Sequence, residues 1–346
     1  MPKKVRVGII GAGGIASFHL RYLQTHRDVR VAALCDIKRE QAVKRQQEFG
    51  GEVFTDYRKM LDQVKPEAVW LCTPPGVRRE PLLACADRGI PVFCEKPAER
   101  RTAEAAVIAR ELTKRKARVQ VGYVFRCIPA VRRLRALLRD DSIHLVNSFY
   151  NNNVSLTMEL PAWYYAKANT GGIVVEQAVH NLDLLRHLLG EVIEIRGCAI
   201  NPVHRKHKGY TIDETVGMVL RFAGGTLGVH THTWVGDAWR NELVFSGEKR
   251  LYRLFLNIHT ARLVVEQPSA GKRNPFSRFL ARTAINGVFQ FQQETRPIFE
   301  YENEVFLKMV KTGDWRINPC DYSDGVQSLR LTLACEKAVT RGRAVL

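Results

Sequence analysis

The stretch Val5-Arg6-Val7-Gly8-Ile9-Ile10-Gly11-Ala12-Gly13-Gly14-Ile15-Ala16 decides the fold. An apolar run of buried-strand length leads into a tight glycine turn and then into the start of an amphipathic helix. The small residues stand in the spacing G-x-G-x-x-A, at Gly11, Gly13 and Ala16. Each has its own task in a dinucleotide site. Gly11 permits the sharp exit from the strand, Gly13 lets backbone N–H groups approach a pyrophosphate, and Ala16 lets the helix pack close to the strand. The helix N-terminus adds free N–H groups and the positive end of its dipole. Glycine turns are common; the strand before this one and the helix after it make it specific.

The next apolar run, Val29-Arg30-Val31-Ala32-Ala33-Leu34-Cys35, ends at Asp36. That is about 20 residues past the turn, where a ribose-binding acid belongs. A carboxylate there accepts hydrogen bonds from the adenosine ribose hydroxyls and repels a 2′-phosphate, which favours NAD. Lys38 and Arg39 follow directly, so NADP stays open as a cofactor. The alternative for Asp36 is a helix cap before Lys38 to Phe49.

The 346 residues suggest two domains. A hydrophobic share of 45% and a charged share of 25% suit a soluble globular chain. Lys and Arg (53) outnumber Asp and Glu (35), a net charge of +18 that would draw anionic cofactors or substrates. The basic residues are spread out, with no long basic tail and no nucleic-acid motif, so no nucleic-acid partner is expected. Eight cysteines include no C-x-x-C pair, and several end apolar runs, as buried thiols in a reducing compartment do. The first apolar run is the strand itself rather than a leader, and none is long enough for a bilayer. A cytoplasmic location and no membrane partner are the expectation.

Strand-like and helix-like segments alternate through residues 1–122. Ala68 to Cys72 reads as a buried strand ended by Thr73-Pro74-Pro75, and Pro91 to Cys94 as the next, ended by Glu95-Lys96-Pro97. Thr102 reads as the cap of a long helix, and Val119 to Gly122 as the last strand. Beyond residue 122 a helix is expected from about Pro129 to Arg139. Strands follow at Val192–Ile200, Thr215–Phe222, Thr226–Val235, Glu242–Phe245 and Leu251–Leu256. Residues 267–297 read as irregular with a short helix, and Asn303–Lys311 and Asp324–Val339 as closing helices. The expected fold is α/β followed by α+β. An N-terminal dinucleotide-binding domain spans 1–122, and a C-terminal substrate and oligomerisation domain spans 123–346, with an open, mostly antiparallel sheet flanked by helices.

Four motifs, Gly11-Ala12-Gly13-Gly14-Ile15-Ala16, Thr73-Pro74-Pro75, Glu95-Lys96-Pro97 and Gly171-Gly172-x-x-x-Glu176-x-x-x-His180-x-x-Asp183, stand in the order of the Gfo/Idh/MocA oxidoreductase family. With the tail Gly313-Asp314 to Val345, the chain resembles that family over nearly its whole length. The resemblance implies a Rossmann domain, a nicotinamide cofactor and a hydroxyl or carbonyl substrate such as a sugar, inositol or related cyclic polyol. It implies that Lys96 reaches the reacting oxygen and that His180 moves the hydroxyl proton, with Glu176 orienting the imidazole. The family usually has Asp where this chain has Glu176. The cofactor residues would be Gly11, Gly13, Gly14, Ile15, Asp36, Ile37 and Arg39 on the adenosine and phosphate side. Thr73, Pro74, Pro75, Glu95 and Lys96 would serve the nicotinamide side.

Substrate candidates are Tyr123, Arg126, Trp163, Gln177, Asp183 and His232. Arg126 would bind an acidic or hydroxylated substrate or cap an acidic neighbour. Gln177 stands where an apolar residue is usual and is placed facing the substrate. Spacings of four and three put Glu176, His180 and Asp183 on one helix face. Asp183 would hold a hydroxyl or brace its helix. His230, His232 and Trp234 alternate along one strand face, bordering either the substrate or an oligomer contact. Two histidines two apart lack a third ligand nearby, so no metal is expected. A dihydrodiol- or tetrapyrrole-type reductase and a non-catalytic dinucleotide-binding regulator are the alternatives. An open sheet needs cover, so a homodimer or homotetramer is expected.

Overall fold

The computed structural model describes residues 4–157, 162–207, 209–266 and 290–345. The chain forms two units, one of residues 1–127 with 299–330 and one of residues 128–298 with 331–346. These units interleave in sequence, and one boundary falls inside the helix Tyr322–Arg341.

The first unit carries a six-stranded parallel sheet in the order β3-β2-β1-β4-β5-β6. The strands are β1 Val5–Ile10, β2 Val29–Cys35, β3 Glu52–Phe54, β4 Ala68–Leu71, β5 Val92–Cys94 and β6 Val119–Val121. Strand order reverses between β1 and β4, which makes that point the switch where open α/β sheets bind ligands. The registers align strand ends: Ile10 pairs with Cys35 and Leu71, Leu71 with Cys94, and Cys94 with Val121. The residue after each strand closes one more rung. Gly11 N donates to Cys35 O, Cys72 N to Ile10 O, Glu95 N to Leu71 O and Gly122 N to Cys94 O. The glycine turn, Asp36, the T-P-P loop and the E-K-P turn thus leave one edge of one sheet.

Helix Gly14–Thr25 buries Ala16, His19, Leu20 and Leu23, the three-and-four spacing of a single apolar stripe. Asp56 caps helix Tyr57–Val64, accepting from the backbone N–H of Arg58 and Lys59. Thr102 is the first residue of helix Thr102–Lys114 rather than its cap, which is Arg101. In the core, Trp70 and Phe93 stack at 6.2 Å, and Phe306 packs edge-on to both. Phe306, Leu307 and Met309 lie on helix Ile298–Thr312 and share one cluster with Val7, Ile9 and Leu34. That packing is why the late helix belongs to the first unit.

The second unit is built on a nine-stranded sheet, β14-β13-β12-β11-β7-β10-β9-β8-β15. Its strands are β7 Ile143–Asn151, β8 Val192–Ile200, β9 Thr215–Phe222, β10 Leu227–Thr233, β11 Arg240–Gly247, β12 Leu251–Leu256, β13 Ala261–Glu266, β14 Gln290–Glu294 and β15 Arg343–Val345. Every pairing is antiparallel except β7 with β10. Burial alternates along β9 and β12, as in a sheet with one covered face. Helix Pro129–Leu138 buries Ala130, Val131, Leu134 and Leu138. The irregular stretch expected over 267–297 is in part strand β14; residues 267–289 lie outside the described ones. All eight cysteines are free thiols, and only Cys198 is exposed. Among the described residues no helix is long and apolar enough to cross a membrane.

Candidate active site

The glycine turn is built for close approach. Gly11 has φ +90°, and a Cβ there would stand 2.7 Å from the Thr73 amide nitrogen and 2.8 Å from the Cys72 carbonyl carbon. At Gly13 and Gly14 a Cβ would meet nothing within 4 Å, so the turn faces open space. Gly13 caps helix Gly14–Thr25 with no side-chain acceptor, and no acidic residue lies in the first turn. The first-turn N–H groups therefore have no side-chain cap, which fits a pyrophosphate. Asp36 accepts from Ala12 N at 2.8 Å on one oxygen and from Lys38 N at 2.9 Å on the other. Each oxygen keeps a lone pair for a ribose hydroxyl. Ile37 is 90% exposed, and Lys38 and Arg39 are exposed with it. Arg45, which sequence reasoning passed over, reaches the carbonyls of Ala12 (3.3 Å) and Gly13 (3.4 Å) from helix Arg39–Phe49.

Thr73, Pro74 and Pro75 follow β4, and Glu95, Lys96 and Pro97 follow β5, with the Lys96–Pro97 bond cis. Beneath the second turn lies a buried polar cluster. Trp70 Nε1 donates to Asn303 Oδ1 at 2.7 Å, and Asn303 Nδ2 donates to Phe299 O, which fixes the Asn303 oxygen as an acceptor. His19 Nδ1, 3.0 Å from that oxygen, must then carry a proton. Its Nε2 meets Glu95 Oε1 at 2.8 Å, while Glu95 Oε2 accepts the Lys96 amide N–H at 3.0 Å. Burial pushes the Glu95 carboxyl up, but the His19 hydrogen bond and charge, with Lys96 and Arg78 nearby, bring it below its ordinary value. Glu302 is pushed well up, by burial and then by the charge of Glu95, so it is the neutral acid of the pair. His19, Glu95 and Glu302 place ligand atoms within 4.8 Å of one another, with His19 and Glu95 at ordinary hydrogen-bond distance.

In the second unit Gly171, at φ +83°, ends helix Lys167–Thr170, and a Cβ there would strike Val175 at 2.8 Å. Glu176 and Gln177 do not continue a regular α-helix as the spacing predicts. They lie on a π-helical turn, Val174–Ala178, that runs into helix Val179–Leu189 with His180 and Asp183. Such turns add a residue to the helix and change the direction of the side chains they carry. Glu176 and His180 are half-buried, and Asp183 is buried.

Gln177 is half-buried, and its carbonyl oxygen is a hydrogen-bond hub. It accepts from Asn152 Nδ2 at 2.6 Å, His232 Nε2 at 3.0 Å and Trp234 Nε1. His232 and Trp234 do share the buried strand face. Burial, with the charges of His230 and His180, drives His232 well down, so it is a neutral Nε2–H donor. Tyr150 stacks on His232 at 4.5 Å and Tyr164 on Trp234 at 5.9 Å. Trp163 lies on the short turn Ala162–Tyr165, and its side chain lies outside the described residues.

Tyr123 and Arg126 are buried in the first unit, the guanidinium 5.7 Å over the ring. Arg126 pairs with Asp324 and donates to Pro319 O (2.9 Å) and Ser328 Oγ (3.3 Å). The Asp324 pair is the contact expected of an arginine that caps an acidic neighbour.

Two family models match the chain. One, described as an oxidoreductase family with an NAD-binding Rossmann fold, covers residues 5–123; the other, the GFO/IDH/MocA C-terminal domain, covers 131–253. The chain belongs to the Gfo/Idh/MocA oxidoreductase family, and its first unit is the NAD-binding Rossmann domain. It is 26% identical over 351 residues to a myo-inositol 2-dehydrogenase of Thermotoga maritima, spanning 99% of this chain and 98% of the relative. An inositol 2-dehydrogenase of Rhizobium meliloti is 28% identical over 357 residues, again across 99% and 98%. An oxidoreductase structure from Agrobacterium radiobacter, solved with NAD+, L-tartaric acid and magnesium, matches with a TM-score of 0.80 at 14% identity. The match covers 99% of this chain and 98% of that one.

Asp36→Ala should weaken NAD binding roughly 10- to 100-fold, the worth of one or two charge-assisted hydrogen bonds, and NADP binding less. Calorimetric titration with both cofactors checks this; an unchanged preference would move ribose recognition elsewhere. Burial also pushes His230 down to about 4 from its ordinary 6.5. The unfolded chain therefore takes up that proton first as pH falls, and stability present above 6.5 is lost towards 4. Between pH 7 and 5 this loss is about 2 kcal/mol. Urea unfolding of His230→Gln should show a flatter pH slope than wild type; equal slopes would contradict it.

Proposed function

We propose that the protein is an NAD-dependent dehydrogenase that moves a hydride between a CH–OH carbon of a cyclic polyol or sugar and the nicotinamide. When bound, the nicotinamide supplies the hydride acceptor. In the oxidation direction His180 accepts the hydroxyl proton as the C–H bond breaks and the C=O bond forms. The Lys96 ammonium donates a hydrogen bond to the oxygen and holds its developing negative charge. Glu176 orients the imidazole and stabilises its cation. The observation that carries this reading is the seating of Lys96. It leaves the same sheet edge as the glycine turn, two strands away across β4, its amide held by the buried Glu95 carboxylate. The inositol dehydrogenases among the relatives support a cyclic polyol as substrate. A regulator without catalysis is the second reading, favoured by Glu176 in place of the usual Asp.

The outward sheet face supports assembly with a second copy. Val219, Val229, Asn147, Val244, Arg253 and Val264 form one row across neighbouring strands, with Phe149, Val219 and Leu227 more than two-fifths exposed. Eight free thiols support a reducing, cytoplasmic setting.

A panel of inositols and sugars with NAD should give NADH formation. Lys96→Ala and His180→Ala should each lower kcat by roughly 100-fold or more while NAD binding stays within about threefold. Full activity in either variant would remove its role, and no turnover across the panel would favour the regulator. Light scattering should return at least twice the 39.3 kDa chain mass, and Val244→Glu should lower it. A wild-type monomer would contradict the pairing.

A further inference from the structure

Arg78 is 2% exposed and stands just before helix Arg79–Asp87. Its Nε and Nη2 both donate to the Thr73 carbonyl, at 2.9 and 2.6 Å. Its Nη1 donates to the carbonyls of Glu95 and Pro97. The three carbonyls belong to the loops that leave β4 and β5, and two of them bracket Lys96 by one residue on each side. The Thr73 amide in turn lies against Gly11, where no Cβ fits. One planar cation therefore ties the T-P-P loop to both flanks of Lys96. A lysine has the charge but sends its donors from a single point, and cannot reach in these directions together. Buried, with its donors on backbone oxygens, Arg78 is not placed to touch a substrate or a phosphate.

We propose that Arg78 is a positioning residue for hydride transfer, fixing the Lys96 backbone against the Thr73–Pro75 loop and so aiming the ammonium. This rests on the role given to Lys96 above. Arg78→Lys keeps the charge and loses the fork; Arg78→Met keeps bulk and loses both. With myo-inositol and NAD, both should lower kcat about 10- to 100-fold, with KM and the NAD dissociation constant within about threefold. In the Lys96→Ala background, Arg78→Lys should cost nothing more, because the group it aims is gone. A readout that needs no substrate is acetylation of Lys96 by acetic anhydride, followed by mass spectrometry relative to exposed Lys59. In Arg78→Lys that ratio should change at least about threefold. Wild-type kcat and unchanged labelling in Arg78→Lys would overturn the proposal, as would losses that multiply with Lys96→Ala. If Arg78→Met does not fold, Arg78→Lys carries the test. If the wild type oxidises no polyol, the functional reading fails and the labelling ratio alone decides on Arg78.

Discussion

The contact between His19 Nε2 and Glu95 Oε1, 2.8 Å long and buried, is the constraint on which the Lys96 turn depends. A carboxylate in a dry aromatic box is costly unless a partner charge and its remaining lone pairs are satisfied. Here one oxygen faces His19 and the other takes the Lys96 amide. The imidazole is held in turn by Asn303, whose oxygen is oriented by Trp70. Removing one member of such a pair leaves the other buried and unpaired, commonly a loss of about 3–5 kcal/mol. Burial and then the charge of Glu95 push the Glu302 carboxyl well up, towards its neutral form. The cluster thus supports the backbone of a residue read as catalytic, while its own polar groups stay out of solvent.

The second unit solves a similar problem differently. Besides the buried acids Asp183 and Glu214 it holds neutral networks: Gln177 gathers three N–H donors, and Asn181 exchanges hydrogen bonds with Asn241 and donates to Ser148. Neutral networks avoid the desolvation of ions but tolerate fewer rearrangements, since each donor lost leaves an unsatisfied group. The π-helical turn under Glu176 is braced by this arrangement through Gln177.

Much of the first unit was legible because parallel strands covered on both faces are continuous apolar runs, and β2 and β4 begin and end within a residue of where those runs do. The glycine turn was legible from its spacing. Strand β7 was not: its inward positions include Ser148, and Asn151 is buried on the other parity, so its alternation does not read as apolar and polar. The membership of helix Ile298–Thr312 was hidden for another reason. Its apolar stripe announces a helix but not its core, and the Trp70–Asn303 bond joins residues 233 apart in sequence. The partners of His19, Arg78 and Gln177 were not legible because a single polar residue within an apolar pattern carries no local sign of them. The π turn broke a 3.6-residue periodicity that sequence reasoning assumed throughout.

In the proposed reading, one edge of the parallel sheet holds the cofactor in a fixed order, with Lys96 at its reactive end. A crystal structure of the protein grown with NAD+ measures this most directly. The pyrophosphate should lie on the N–H groups of Gly13 to Ile15, the adenosine ribose on Asp36, and the nicotinamide between Thr73–Pro75 and the Lys96 ammonium. A dinucleotide bound away from that edge, or a nicotinamide out of reach of Lys96, would contradict it.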